Sequence, residues 1–210
     1  MKKYASIFLV LLLSFGLVLT GCGGGSQNAQ TPPAQGEQPA AEKPEEIVIA
    51  LQGEPTSLDT HYPDDGNMRC VTWNVFEPLY ILDGKTLDPV PCLATDYKII
   101  DDLTWEFTIR KGVKFHDGSD FTTEDAAYSI NRVIDPDYGS QILSDFSTID
   151  RAEVVDDSTI RIITKTPDPV LLKRLTKLDM VSKAYTEPKT FDELTLLAMG
   201  TGPYVFEKWE

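Results

Sequence analysis

The chain has 210 residues and a formal net charge of −14 at neutral pH. That length allows one or two domains. The acidic balance argues against nucleic acid as a partner, because phosphates call for a basic face, and beyond solubility it selects no ligand.

Residues 1–21 read as a signal peptide. Lys2 and Lys3 supply the positive start, and Ile7–Leu19 is apolar apart from Ser14 and Gly16. The run is shorter than the ~20 residues a membrane span needs. Leu19-Thr20-Gly21-Cys22 follows. It resembles the bacterial lipobox, in which the cysteine thiol takes the lipid and becomes the mature N-terminus, so Cys22 is the expected lipidation site. Residues 22–46 carry Gly23-Gly24-Gly25-Ser26 and several prolines without apolar periodicity. Such a composition predicts a disordered tether whose flexible coil spans on the order of 25–30 Å.

Ile47–Leu51 is a continuous apolar run and predicts a strand buried on both faces. Met68, Val71, Thr72, Val75 and Leu79 fall at helical spacing. Leu79–Leu82 is expected as a strand, with a hairpin turn at Asp83-Gly84-Lys85. Tyr97–Ile100 and Thr104–Arg110 predict a hairpin across Asp101-Asp102. Within it Trp105, Phe107 and Ile109 alternate with Glu106, Thr108 and Arg110, the period of a half-buried strand. Lys111-Gly112 breaks that strand, Val113 and Phe115 form a short apolar run, and 116–120 is dense in turn formers. A helix then starts, with Thr122 as cap, Glu124 and Asp125 in its first turn, and Phe121 stapled to Ala126. It buries Ala127, Ile130 and Ile134 and stops before Pro136. Asp145–Thr148 reads as loop. Ala152–Val155 and Thr159–Thr164 predict a second hairpin. A helix carrying Val170, Leu171, Leu172, Leu175 and Leu178 follows Pro167-Asp168-Pro169. Leu178–Ser182 and Tyr204–Trp209 are expected as strands, and Phe191–Ala198 as a helix.

Arg110–Ser129 holds an arginine-lysine-glycine turn, valine-x-phenylalanine, histidine-aspartate-glycine, then phenylalanine-threonine opening a helix. This order resembles the family 5 extracytoplasmic solute-binding proteins, the peptide- and nickel-binding receptors of ABC importers. Thr56-Ser57-Leu58-Asp59, the stretch Asn74–Tyr80, Pro91-Cys92-Leu93-Ala94 and Gly200-Thr201-Gly202-Pro203-Tyr204 match further family patterns in the same order. The resemblance implies an α/β, periplasmic-binding-protein-like fold of the two-lobed type II. Family members are more than twice as long, so the chain is expected to be an N-terminal portion holding most of the first lobe. Residues 47–82 would form its first segment, 83–180 an inserted subdomain, and 181–210 the return into the lobe. The ligand-facing residues implied are Tyr62, Asp64, Asp65, Gly66 and Asn67, where main-chain hydrogen bonds hold an extended peptide. Asp64 or Asp65 either meets a positive terminus or is simply solvated.

Enzymatic patterns are missing: no G-x-S-x-G, no H-E-x-x-H, no Walker loop, no dinucleotide fingerprint. His61 with Asp64 and Asp65 offers metal-ligand chemistry in one loop, or is an exposed polar loop; His116 packs or caps its turn. Cys70 and Cys92 either pair or remain two free buried thiols. The expectation is a receptor without catalysis, cofactor or metal. It captures a peptide or related small solute, delivers it to ABC permease subunits, and is held at the membrane, outside the cytoplasm, by its lipid. A sensor or holding protein of the same fold, and a secreted hydrolase, are the alternatives.

Overall fold

The computed structural model describes residues 46–209. The signal peptide, Cys22 and the tether up to residue 45 lie outside them.

The fold mixes helices and antiparallel sheets. Helix α1 spans Gly66–Val75. Strands β1 (Tyr80–Leu82) and β2 (Pro89–Pro91) form a two-stranded hairpin. Its loop is longer than the predicted turn. The Asp83 carboxylate accepts from the Lys85 and Thr86 amides, both at 2.9 Å, and Leu87 takes φ 60°. The main sheet has β3 (Ala94–Asp101), β4 (Thr104–Ile109), β5 (Ile149–Asp156) and β6 (Thr159–Thr164) in the order β3-β4-β6-β5. Both predicted hairpins are thus present, joined through the central pair β4–β6. The two border strands each lose register near both ends.

Trp105, Phe107 and Ile109 of β4 face the core, as their alternation predicts, and Phe107 is wholly buried beside Ile160 and Ile162 of β6. Tyr97 of β3 stacks on Trp105, with ring centroids 5.6 Å apart. Helix α2 (Thr123–Ile134) packs on β5 and β6. The Asp125 carboxylate accepts from the Thr122 amide and hydroxyl, closing the helix start as its sequence predicts. Ala127, Ile130 and Val133 are buried, while Ile134 is only partly so. On the sheet side, the Asn131 amide exchanges two 2.8 Å hydrogen bonds with the Ala152 backbone.

Four expectations are corrected. Ile47–Leu51 forms no strand, and Val48 and Ile49 are exposed: an apolar run becomes a strand only beside a partner, and it pairs with none among the described residues. Tyr204–Trp209 likewise makes no ladder. Leu178–Ser182 contributes a single bridge, Asp179 to Pro78. The stretch read as loop after Ser144 closes a 3-10 turn over Leu143–Phe146 that drives Phe146 into the core. The later helices are short: α3 (Leu171–Leu175), α4 (Lys183–Thr186) and α5 (Phe191–Thr195).

Candidate functional site

The segment Tyr62–Asp65 runs along two adjoining cavities of ≈ 460 Å³ and ≈ 390 Å³. Tyr62 and Phe191 line both; their rings meet edge to face with centroids 4.3 Å apart. The larger cavity is walled by Tyr128, Arg132, Asp137, Tyr138, Glu187 and Lys189. The smaller one includes Thr56, Asp64, Asp65 and Gln141.

The two predicted acids behave differently. Asp65 is the N-cap of α1: its carboxylate accepts from the Asn67 amide at 2.9 Å and from the Thr56 amide at 3.0 Å. Those bonds, the Thr56 amide first, hold its carboxyl below the usual range. Asp64 stays exposed and pairs with Arg69 at 2.6 Å, where exposure makes the pair weak. Gly66 and Asn67 open α1 instead of lining the cavities.

His61 does not join Asp64 and Asp65. It is fully buried and faces away from them into a polar cluster, and no group of three metal-ligating side chains converges among the described residues. Its Nε2 lies 2.7 Å from the Asp179 carbonyl, and its Nδ1 3.0 Å from Nη1 of Arg132. A carbonyl only accepts and a guanidinium only donates. The imidazole is therefore neutral, with its proton on Nε2. Burial, then the Arg132 charge, push its pKa down to about 4. Arg132 also grips Asp59 with both nitrogens, at 2.9 and 2.6 Å, and stacks 4.0 Å over the Tyr138 ring. The Tyr138 hydroxyl donates to the same carboxylate at 2.8 Å. Burial alone would raise the Asp59 carboxyl, but the bonds and charge of Arg132 outweigh it and carry it below the usual range. Asp179 is fully buried, accepts from the Thr60 hydroxyl, and leaves Oδ1 without a partner; burial lifts its pKa to about 7.

The cations of the larger cavity are thus occupied. Lys189 Nζ donates to the Tyr185 carbonyl at 2.7 Å and sits over that ring. Asp137 and Glu187 have no hydrogen-bonded or ion-paired side-chain partner among the described residues, so the unengaged charge on these walls is negative.

His116 packs its turn: Nε2 donates to the Gly202 carbonyl at 2.8 Å, and its amide to that of Gly200 at 3.0 Å. Cys70 and Cys92 are free thiols, Cys70 exposed and Cys92 half-buried, so they neither pair nor are both buried. The sequence reading missed Arg132, Tyr138 and Phe191. Arg132 reads as an ordinary polar position of an amphipathic helix although its side chain is only 8% exposed, and its partner Asp59 is 73 positions away.

A family model, bacterial extracellular solute-binding proteins, family 5 middle, matches residues 88–210. The glutathione-binding protein GsiB of Salmonella choleraesuis is 31% identical over 167 residues, covering 78% of this chain and 32% of its own length. The chain therefore spans about a third of the curated relatives it matches. Among solved structures, NikZ from Campylobacter jejuni in complex with Ni(L-His) superposes with TM-score 0.68 at 27% identity, over 76% of this chain and 32% of that one. AppA from Bacillus subtilis, in complex with a nonapeptide, gives 0.69 at 25% identity, over 75% and 33%. Sequence order, fold and these likenesses agree that the chain belongs to the family 5 bacterial extracellular solute-binding proteins, with their α/β periplasmic-binding-protein-like fold.

Proposed function

We propose that this chain is part of the substrate-binding lipoprotein of an ABC importer, which captures a peptide or related small solute outside the cytoplasm and delivers it to permease subunits. The observation that carries this reading is the pair of cavities sharing Phe191 and Tyr62, the latter in the loop that the sequence resemblance implies is ligand-facing. Aromatic walls offer apolar surface, and Asp64, Asp137 and Glu187 suit a ligand bearing an ammonium group. Capture needs no bond chemistry. The ligand stabilises a closed form in proportion to its differential affinity for it. Cys22 carries the lipid that holds the receptor at the membrane.

Calorimetry on the protein purified from its own membranes tests this, with a nonapeptide, glutathione and nickel–histidine as probes. Saturable binding of one of them, weakened about tenfold or more by Asp64→Asn, is the expected result. No saturable heat from any probe at about millimolar concentration would overturn the reading. For the anchor, Cys22→Ala should move the protein out of the membrane fraction or leave it unprocessed. Equal incorporation of labelled lipid by parent and variant would sink that part.

A further inference from the structure

Residues 59–62 are tied down from both sides by one stretch of chain. Its side chains take hold first: Arg132 binds both oxygens of Asp59 and donates to Nδ1 of His61, while Tyr138 donates to Asp59. Its next residues hold the main chain: the Ser140 hydroxyl donates to the His61 carbonyl at 2.6 Å, and the Gln141 amide to that of Tyr62 at 2.9 Å. The Asp59–Arg132 pair is nearly solvent-free, with side chains 3% and 8% exposed. Directly after His61 comes Tyr62, the residue that both cavities share.

We propose that Arg132 is the positioning residue of the ligand-facing loop: by clamping Asp59 and neutral His61 it fixes where Tyr62 stands between the two cavities. Three features make the clamp specific to arginine. The guanidinium is planar, so it meets Asp59 bidentately and still stacks on Tyr138. It cannot lose its proton, so Nδ1 of His61 always faces a donor. It also reaches His61 with the same Nη1 that binds Asp59, which locks the two loop residues to each other. A lysine keeps the charge but gives up the fork. The proposal rests on the ligand-binding reading for its functional meaning, while its geometric content stands apart from it.

The test is amide hydrogen exchange of the purified protein, read at Gln141, whose N–H is given to Tyr62. In Arg132→Lys this amide should exchange about tenfold faster or more, while Phe107 in β4 keeps its protection. Tyr138→Phe, which removes one hydroxyl from Asp59, is the milder variant and should show a smaller change at Gln141. Should Arg132→Lys fail to fold, that milder variant decides. An unchanged rate at Gln141 in a folded variant, or a uniform loss of protection across the sheet, would overturn the proposal. Probe affinity is measured alongside and should fall in Arg132→Lys. If no probe binds the parent protein, the ligand-binding reading fails, whereas the Gln141 rate still decides the clamp.

Discussion

Gly200 lies against the carbonyl of Val75: a Cβ built on it would stand 2.1 Å from that oxygen. Gly202 is similarly close, its amide donating to the same carbonyl at 2.8 Å, and the Tyr204 amide donates to Asn74. The glycine-rich turn thus supplies the partners that the last carbonyls of α1 lack. His116 holds the turn from its other side. Gly200→Ala must displace backbone and should cost at least about 1–3 kcal/mol, read as a lower denaturant midpoint. An unchanged midpoint would mean that turn and helix are not in contact.

Phe107→Ala should cost about 3–5 kcal/mol, since the ring is fully buried and its removal leaves a cavity. Chemical denaturation reads it directly. A loss below about 1 kcal/mol would place the ring outside the tightly packed core.

Stability should respond to pH through two buried groups of opposite sign. His61, held down to about 4, stays neutral where the unfolded chain is already protonated. Its contribution is present above the ordinary 6.5 and is lost as pH falls towards about 4. Asp179, lifted to about 7 by burial, keeps its proton where the unfolded chain has lost it. Its contribution is full below the ordinary 3.8 and is lost as pH rises through about 7. Asp179→Asn therefore gains stability relative to the parent as pH rises between those values, and levels off above. Melting curves across that range measure it, and a difference independent of pH would exclude Asp179 as the titrating group.

The two thiols should react at very different rates. Cys70 is exposed on α1. Burial and then the nearby Glu77 push the Cys92 thiol up to about 12, so little thiolate is available for attack. With Cys22 blocked by the proposed lipid, a chromogenic disulfide reagent should count one fast thiol in the native protein and two after denaturation. No thiol under denaturing, non-reducing conditions would mean that the pair is oxidised.

The two sheet hairpins and the capped helix were legible because their signals are local. Trp105, Phe107 and Ile109 alternate within one strand, and Thr122 meets Asp125 within one helical turn. Ile47–Leu51 shows the limit: its composition suits a buried strand, but burial depends on a neighbour that the run itself cannot specify. The site was half legible. Tyr62 and Asp64, singled out by the family resemblance, do line the cavities, but that Thr56 holds Asp65 and Arg69 holds Asp64 depended on contacts the local sequence does not announce. The Asp59–Arg132–His61 cluster was invisible, since contact between a loop and a helix so far apart in sequence leaves no periodic trace.

The register breaks at the sheet's borders bear on how the protein behaves when crowded. Regular pairing survives only over Asp96–Ile99 in β3 and Arg151–Val154 in β5. A fibril-forming segment typically offers about six or seven flat residues to a stacked copy. Here each border offers a shorter stretch and interrupts it with charge, Asp96 and Lys98 on one side, Arg151 and Glu153 on the other. Asn131 already occupies the outward backbone groups of Ala152, so the β5 border presents no continuous row of donors and acceptors. Two copies that meet edge to edge therefore find no unbroken row to pair with, and borders built this way let them collide without zipping into aggregates.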